Sequence, residues 1–471
     1  TLPYVNAEPH IGFAMEIIQA DIIARYKKLS GFDVFFNTGT DEHGLKIYQA
    51  ALAENKTPQT YTDELAEKFK NLKPLLGLSE DLHFIRTTEE RHKKAAQEFW
   101  RLCEKAGDIY KKEYKIRYCV GCELEKTDSE LVNGRCPIHP NKELEIIEEE
   151  NYFFKLSKYS NKLLELYDKN PGFVIPDSRL NEMRALIDRG LEDFSISRLK
   201  EKMSWGVDVP GDDKHVMYVW FDALVNYIST IGWPDDLNNF DKYWPVVQFA
   251  GKDQVRQQVV MWQAMLMSAG LPSSRHIMIH GFINYEGQKM SKSLGNVVSP
   301  QEIIDEYGLD ALRYFVAREL NQYEDTDISR EKIKTTYNAN LANGLGNLVS
   351  RVMRIAETND IKAPEKDVAL FAHPDPYLWS HVYLDEFKIK ESIDSIWSLI
   401  KNTDNFIQTG EPFKSIKIDR QKAEIDIKVA LKYLIEISIK LRPFMPNTSK
   451  LIEDLITSNK MPSASLFPRK D

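Results

Sequence analysis

Four cysteines in 471 residues are too few to staple a chain of this size with disulfides. No apolar run approaches the length that crosses a bilayer. The first residues show no basic stretch followed by an apolar core, so no secretory leader is expected and the cytoplasm is the expected compartment. Positive charge is in deficit: 62 Lys and Arg against 71 Asp and Glu leave a net −9. That excludes a uniformly basic nucleic-acid module but leaves a local basic face open. Internal repeats and low-complexity tracts are lacking as well. The chain opens on Thr1 and not on Met, which suggests numbering that begins inside the fold.

What is present is an ordinary globular composition, 42% hydrophobic and 28% charged, with length for two to four domains. Met15, Ile18, Ile22 and Tyr26 fall at helical spacing, and the apolar run 32–36 after Gly31 reads as a short buried strand. Residues 37–41 then read as a polar loop. This helix–strand–loop order suggests a parallel α/β sheet with its site at the carboxyl ends of the strands. Residues 216–220, 245–249 and 276–283 read as further strands, and 255–269 as a helix. Beyond residue 330 the spacing is helical almost to the end, which predicts a separate helical bundle.

Three motifs carry chemistry. Pro9-His10-Ile11-Gly12 precedes the first helix, where free N–H groups and the positive end of the helix dipole suit a phosphate. His10 can donate to a phosphate oxygen, and Gly12 lets a ligand approach the backbone. Lys289-Met290-Ser291-Lys292-Ser293-Leu294-Gly295-Asn296 sets two cations three residues apart among small hydroxyl residues, a pattern suited to a triphosphate. Cys119-x-x-Cys122 and Cys136-x-x-His139 offer three thiolates and one imidazole, a full donor set for one structural Zn²⁺. Taken singly, the first two motifs are more often a plain helix-entry turn and a solvated basic loop.

Together, the Pro-His-Ile-Gly turn and the Lys-Met-Ser-Lys-Ser loop resemble the two signatures of class I aminoacyl-tRNA synthetases. Within that class the chain resembles the methionine family. Leu2-Pro3-Tyr4-Val5-Asn6, residues 37–44 (Asn-Thr-Gly-Thr-Asp-Glu-His-Gly), residues 218–223 (Tyr-Val-Trp-Phe-Asp-Ala) and the single zinc knuckle carry the likeness. The resemblance implies a Rossmann-like α/β catalytic domain in two halves, 1–107 and 196–283, split by a zinc-knuckle insertion at 108–195. A signature-loop and stem-contact region at 284–330 and an all-α anticodon-binding bundle at 331–471 would follow. It implies activation of L-methionine by ATP with Mg²⁺, then transfer to tRNA(Met). His10, Lys289 and Lys292 would be catalytic, and with Gly12, Gly251 and Asp253 would bind ATP. Leu2, Tyr4, Trp220 and Tyr227 would enclose the thioether, which suits aromatic walls. Asp41 would hold the ammonium group. Gln254 and Gln258 fall in the same pocket, and Asn343, Asn347, Arg351 and Phe413 would meet the anticodon.

Four positions depart from the family pattern. Phe13 stands where a second signature histidine is usual, Gln254 where an apolar residue is, Gln258 where a pocket histidine is, and Phe413 where tryptophan is common. These departures keep two alternatives open: a class I synthetase for leucine, isoleucine or valine, or a non-catalytic tRNA-binding paralogue. The insertion is small for an editing domain, which weighs against the first. With no further domain after the bundle, a monomer is expected.

Overall fold

The computed structural model describes residues 1–5, 9–122, 124–126, 130–289, 298–373 and 382–471. The chain divides into two compact units. The first holds Thr1–Pro9, Asn37–Asn71 and Asp81–His280; the second holds His10–Phe36, Leu72–Glu80 and Gly281–Asp471.

In the first unit, Val247–Gly251 pairs in parallel with His276–His280, which pairs in parallel with Val174–Ile175. A second parallel pair joins Asn37–Thr40 to His83–Arg86. An antiparallel sheet in the order Leu124–Lys126, Ile109–Cys119, Glu145–Phe154, Phe194–Ser195 carries the cysteine cluster at one end. Its long central hairpin runs in unbroken register from Ile109↔Phe154 to Tyr118↔Glu145. Phe99, Trp100, Phe221, Trp233 and Trp262 interlock in the core at ring separations of 5.2–6.0 Å.

Two strands differ from expectation. The run 32–36 is extended but unpaired as a strand, and Phe32 is 61% exposed with the Lys27 ammonium 5.2 Å over its ring. The strand is the polar segment Asn37–Thr40 instead. Its threonines are buried because the Thr40 hydroxyl has a partner inside, the Glu42 carboxylate at 2.6 Å; burial of a satisfied hydroxyl is cheap. The second difference is at 216–220. The strand there is His215–Met217, and Val219–Ala223 is a short helix. A segment buried on nearly all sides has no periodicity that separates strand from helix.

The second unit begins with the helix Ile11–Leu29 and contains the helices beyond residue 330. Ile283–Tyr285 pairs with Gln288–Lys289 antiparallel and with Thr326–Ile328 in parallel. In the bundle, Ile389–Gly410 buries Ile393, Ile396, Trp397, Ile400 and Ile407 against Arg420–Leu441. That three-and-four spacing is the apolar stripe a bundle helix needs.

The first helix is anchored by a buried ion network. Arg313, fully buried, donates to Asp21 Oδ2 at 2.7 Å and to the carbonyls of Phe444, Pro443 and Leu76. Asp21 also accepts from Arg25 at 2.7 Å and from the Ser79 amide and hydroxyl. Burial pushes the Asp21 carboxyl up, but the two guanidinium groups and the hydroxyl outweigh it and hold it below the usual carboxylate range. Every lone pair of the carboxylate is used, which is what makes a buried charge tolerable.

Candidate active site and metal centre

The start of the first helix is built by a side chain folding back on its own backbone. His10 is the N-cap, and its Nδ1 accepts from the Gly12 amide at 3.1 Å. With Nδ1 accepting, a neutral ring carries its proton on Nε2. A Cβ on Gly12 would stand 2.9 Å from His10 Cε1, so the glycine keeps room for the folded-back ring. The Ile11 amide donates to the Val298 carbonyl at 3.3 Å, which fixes the segment following the lysine motif against the first turn. Lys289 ends the short strand Gln288–Lys289; its side chain and all of Lys292 lie outside the described residues.

In the first unit, Tyr4 and Asp41 form a parallel bridge. The Asp41 amide donates to the Pro3 carbonyl at 3.0 Å, and the Val5 amide donates to the Asp41 carbonyl at 3.1 Å. Asp41 is 5% exposed. Tyr4 and Trp220 both pack, half-buried, on a small core of Tyr218, Val219 and Ala223. Tyr227, also half-buried, lies 6.0 Å from Trp262. Leu2 is half-buried next to this strand end. Tyr4 and Trp220 thus share one core, and Asp41 is bridged to Tyr4.

Gly251 is buried at the end of its strand, and a Cβ there would lie 2.7 Å from Asp253 Oδ1. Asp253 is exposed and Gln254 half-buried on the following turn. Gln258 is buried, and its Oε1 accepts from Gln248 Nε2 at 2.7 Å, within an amide–hydroxyl cluster that includes Gln263 and Ser274.

Several neighbours of these residues carried no signal in the sequence. His43 is 2% exposed, and its Nδ1 lies 2.7 Å from Oδ2 of the fully buried Asp222. Burial pushes the Asp222 carboxyl up, opposed by His43. Arg198, buried, stacks its guanidinium 4.4 Å from the Tyr218 ring centroid. Lys46 places its ammonium 5.7 Å from the Tyr4 ring. His43 and Asp222 lie within the family stretches 37–44 and 218–223 without a role read for them there, and Arg198 and Lys46 belong to no local pattern.

The metal centre is compact. The donor atoms of Cys119, Cys122, Cys136 and His139 all lie within 4.8 Å of one another. Cys122 Sγ is 3.5 Å from Cys136 Sγ and 3.2 Å from His139 Nδ1; Cys119 Sγ is 3.8 Å from His139 Nδ1. A tetrahedral ion with bonds of about 2.0–2.3 Å needs ligand separations of roughly 3.3–3.8 Å, which this cluster reaches with small side-chain shifts, and the donor set suits such an ion. A Cβ on Gly121 would fall 2.6 Å from the His139 ring, so only glycine lets the imidazole close over the turn. Burial pushes the Cys122 thiol up to about 12. A bound cation supplies the charge that makes such thiols ionise.

In the bundle, Asn343 lies in the π-helix Tyr337–Gly346, whereas Asn347 and Arg351 lie in the α-helix Asn347–Thr358. Asn347 and Arg351 therefore share one face at four-residue spacing, whereas Asn343 is offset from it, because i→i+5 bonding widens the turn before them. Asn343 lines a cavity of about 450 Å³ with Trp397, Lys401 and Asp404, and Arg351 donates to Asp404 at 2.5 Å. Phe413, on the short helix Pro412–Ser415, is 43% exposed.

Residues 1–353 match the family described as tRNA synthetases class I (M). The chain is 40% identical to the methionine–tRNA ligase of Thermotoga maritima, over 98% of this chain and 75% of that one. It is 40% identical to that of Brucella suis, over 97% and 90%. A solved structure of Mycobacterium tuberculosis methionyl-tRNA synthetase in complex with methionyl-adenylate superposes with a TM-score of 0.91 at 36% identity, covering 99% of this chain and 98% of the other. Likeness that runs through the α/β core, the cysteine turn and the helical region alike leaves one conclusion: the chain belongs to the class I methionine–tRNA ligases.

Proposed function

We propose that the chain activates L-methionine with Asp41 as the ammonium ligand and Leu2, Tyr4, Trp220 and Tyr227 as the apolar walls around the thioether. The observation that carries this reading is the packing of Tyr4 and Trp220 on one small core, with Asp41 bridged to Tyr4 through the backbone. A buried carboxylate beside aromatic faces suits a molecule with a cation at one end and a polarisable sulfur at the other. Gln258, already engaged by Gln248, narrows what Gln254 and Gln258 can offer a substrate to a few amide contacts.

The chemistry needs no protein nucleophile. The methionine carboxylate attacks the α-phosphorus of ATP, forming the C–O–P bond of methionyl-adenylate, and pyrophosphate leaves with the bond electrons. A terminal hydroxyl of tRNA(Met) then attacks the carbonyl carbon, and AMP departs. His10 Nε2 and the helix N-terminus bind phosphate oxygens, with Lys289 and Lys292 as further cations. Gly251 and Asp253 are further ATP ligands on this reading. Mg²⁺ bound with ATP would supply charge neutralisation at its phosphates. Cys119, Cys122, Cys136 and His139 hold Zn²⁺, which stiffens the end of the antiparallel sheet and takes no part in the reaction. Asn343, Asn347, Arg351 and Phe413 meet the anticodon bases.

Pyrophosphate exchange with a panel of amino acids tests the reading. Methionine should support exchange, with leucine, isoleucine and valine at least about a hundredfold poorer in kcat/KM, since shape and polarity differ by more than one methylene. Exchange driven by a branched amino acid and not by methionine would overturn it.

A further inference from the structure

We infer that His43 and Asp222 are positioning residues for methionine: their buried hydrogen bond holds the segment bearing Asp41 in register with the segment bearing Trp220. The inference rests on the reading of Asp41 and Trp220 as substrate contacts.

The pair joins two stretches 179 residues apart. His43 is two residues beyond Asp41, and Asp222 two residues beyond Trp220. Between Asp41 and His43, Glu42 is fixed on its own account. Its carboxylate accepts from Arg86 at 2.6 and 2.9 Å, from the Thr40 hydroxyl at 2.6 Å and from the Thr88 hydroxyl at 2.5 Å. Its amide donates to the Thr87 hydroxyl, and its carbonyl accepts from Trp205 Nε1. The Trp205 ring meets His43 edge-on at 5.5 Å. The turn after Asp41 therefore has little freedom left.

The other side is less self-sufficient. Val219–Ala223 is a five-residue helix, too short to be stable by its own hydrogen bonds. Asp222 is its polar side chain on the inner face, and His43 is the partner that face meets. A second tie, from the Thr230 hydroxyl to Asn37 Oδ1 at 2.8 Å, joins the same two regions one step farther out.

Plain packing would not call for this pair. Two buried ionisable groups cost desolvation that a pair of apolar side chains avoids, and what they give in return is direction. The direction here runs from the ammonium ligand to the thioether wall. His43 is a positioning group on this reading, because its ring is 2% exposed and its observed hydrogen bond is to Asp222.

Pyrophosphate-exchange kinetics on the full chain test the inference with His43→Ala, Asp222→Ala, His43→Asn and Asp41→Asn. Both alanine variants should raise KM for methionine about tenfold or more, the scale expected when a binding group shifts by a fraction of an ångström, and leave KM for ATP within about twofold. The double alanine variant should be no worse than the poorer single one, since the two residues act as a unit. His43→Asn, whose amide nitrogen can occupy the Nδ1 position and donate to Asp222, should recover most of the loss. Equal effects on methionine and ATP, or an asparagine variant as poor as alanine, would overturn the inference and leave a stability role only. Should the alanine variants fail to fold, the comparison passes to His43→Asn and Asp222→Asn. Both should fold and keep KM for methionine within about fivefold, and a larger loss in folded protein would overturn the inference. Asp41→Asn separates the two readings: a methionine KM unchanged there refutes the pocket itself, whereas a raised one beside an unaffected His43→Ala refutes the positioning role alone.

Discussion

The amide of Ile11 and the carbonyl of Val298 meet at 3.3 Å, so the first turn of the first helix is tied to the segment that follows the lysine motif. His10 and Lys292 are each a short run of chain from that bond. On the proposed reading, Lys292 stabilises charge that develops on the leaving pyrophosphate and does little for methionine. Lys292→Ala should therefore slow single-turnover adenylate formation by about a hundredfold, the usual effect of removing one transition-state donor. Methionine affinity, measured by tryptophan fluorescence, should change less than about twofold. Activation at the parent rate would refute the phosphate role.

The metal site makes a prediction about where order is lost. The chain should carry one Zn²⁺, measurable by elemental analysis, and Cys136→Ser should remove it. Because the four donors sit at the far end of the hairpin Ile109–Cys119/Glu145–Phe154, hydrogen exchange should quicken between residues 119 and 139. The strand Asn37–Thr40 and the helix Val219–Ala223 should keep their protection. A metal-free protein with unchanged exchange at the cysteine turns would show that the donors fold without an ion.

Arg351 and Asp404 form a partly exposed ion pair, each side chain nearly a third accessible. Such pairs contribute at most about 1 kcal/mol, so RNA can displace the carboxylate at small cost. Arg351→Ala and Asn347→Ala should lower aminoacylation about tenfold or more, by loss of hydrogen bonds to unstacked bases, and leave pyrophosphate exchange intact. Phe413→Trp, with a larger stacking face, should tighten tRNA binding by up to about 1 kcal/mol. Losses of equal size in both assays would make Arg351 and Asn347 structural.

What the sequence revealed was what is local. Cys119, Cys122, Cys136 and His139 were legible because two short turns hold all four donors. The His10–Gly12 turn was legible for the same reason. The strand Asn37–Thr40 was not, because its inward threonines look like a loop until Glu42 is seen to accept from one of them. The short helix at Val219–Ala223 hid inside a uniformly apolar run. The π-helix before Asn347 hid because i→i+5 bonding leaves no composition mark. His43–Asp222 and Asp21–Arg313 were out of reach, since each joins residues 179 and 292 positions apart. Pairing at that range is a property of the fold.

His92 gives the clearest dependence of stability on pH. It is fully buried, with Nδ1 3.0 Å from the Ser229 hydroxyl. Burial, helped by the charge of His43, pushes its pKa down to about 3. An unfolded histidine titrates near about 6.5. Between those values the unfolded chain binds a proton that the folded chain does not. Stability from this group is therefore complete above about pH 6.5 and is lost as pH falls toward 3, with a limiting slope of about 1.4 kcal/mol per pH unit. Aspartates and glutamates titrate mostly below about pH 5, so the interval from about 6.5 to 5 reports chiefly on histidine. Urea unfolding across that interval should lose about 2 kcal/mol in the parent chain. His92→Asn, which keeps a nitrogen at the Nδ1 position for Ser229, should be less stable at neutral pH but should flatten that part of the curve. An undiminished slope in the variant would assign the proton uptake to another group.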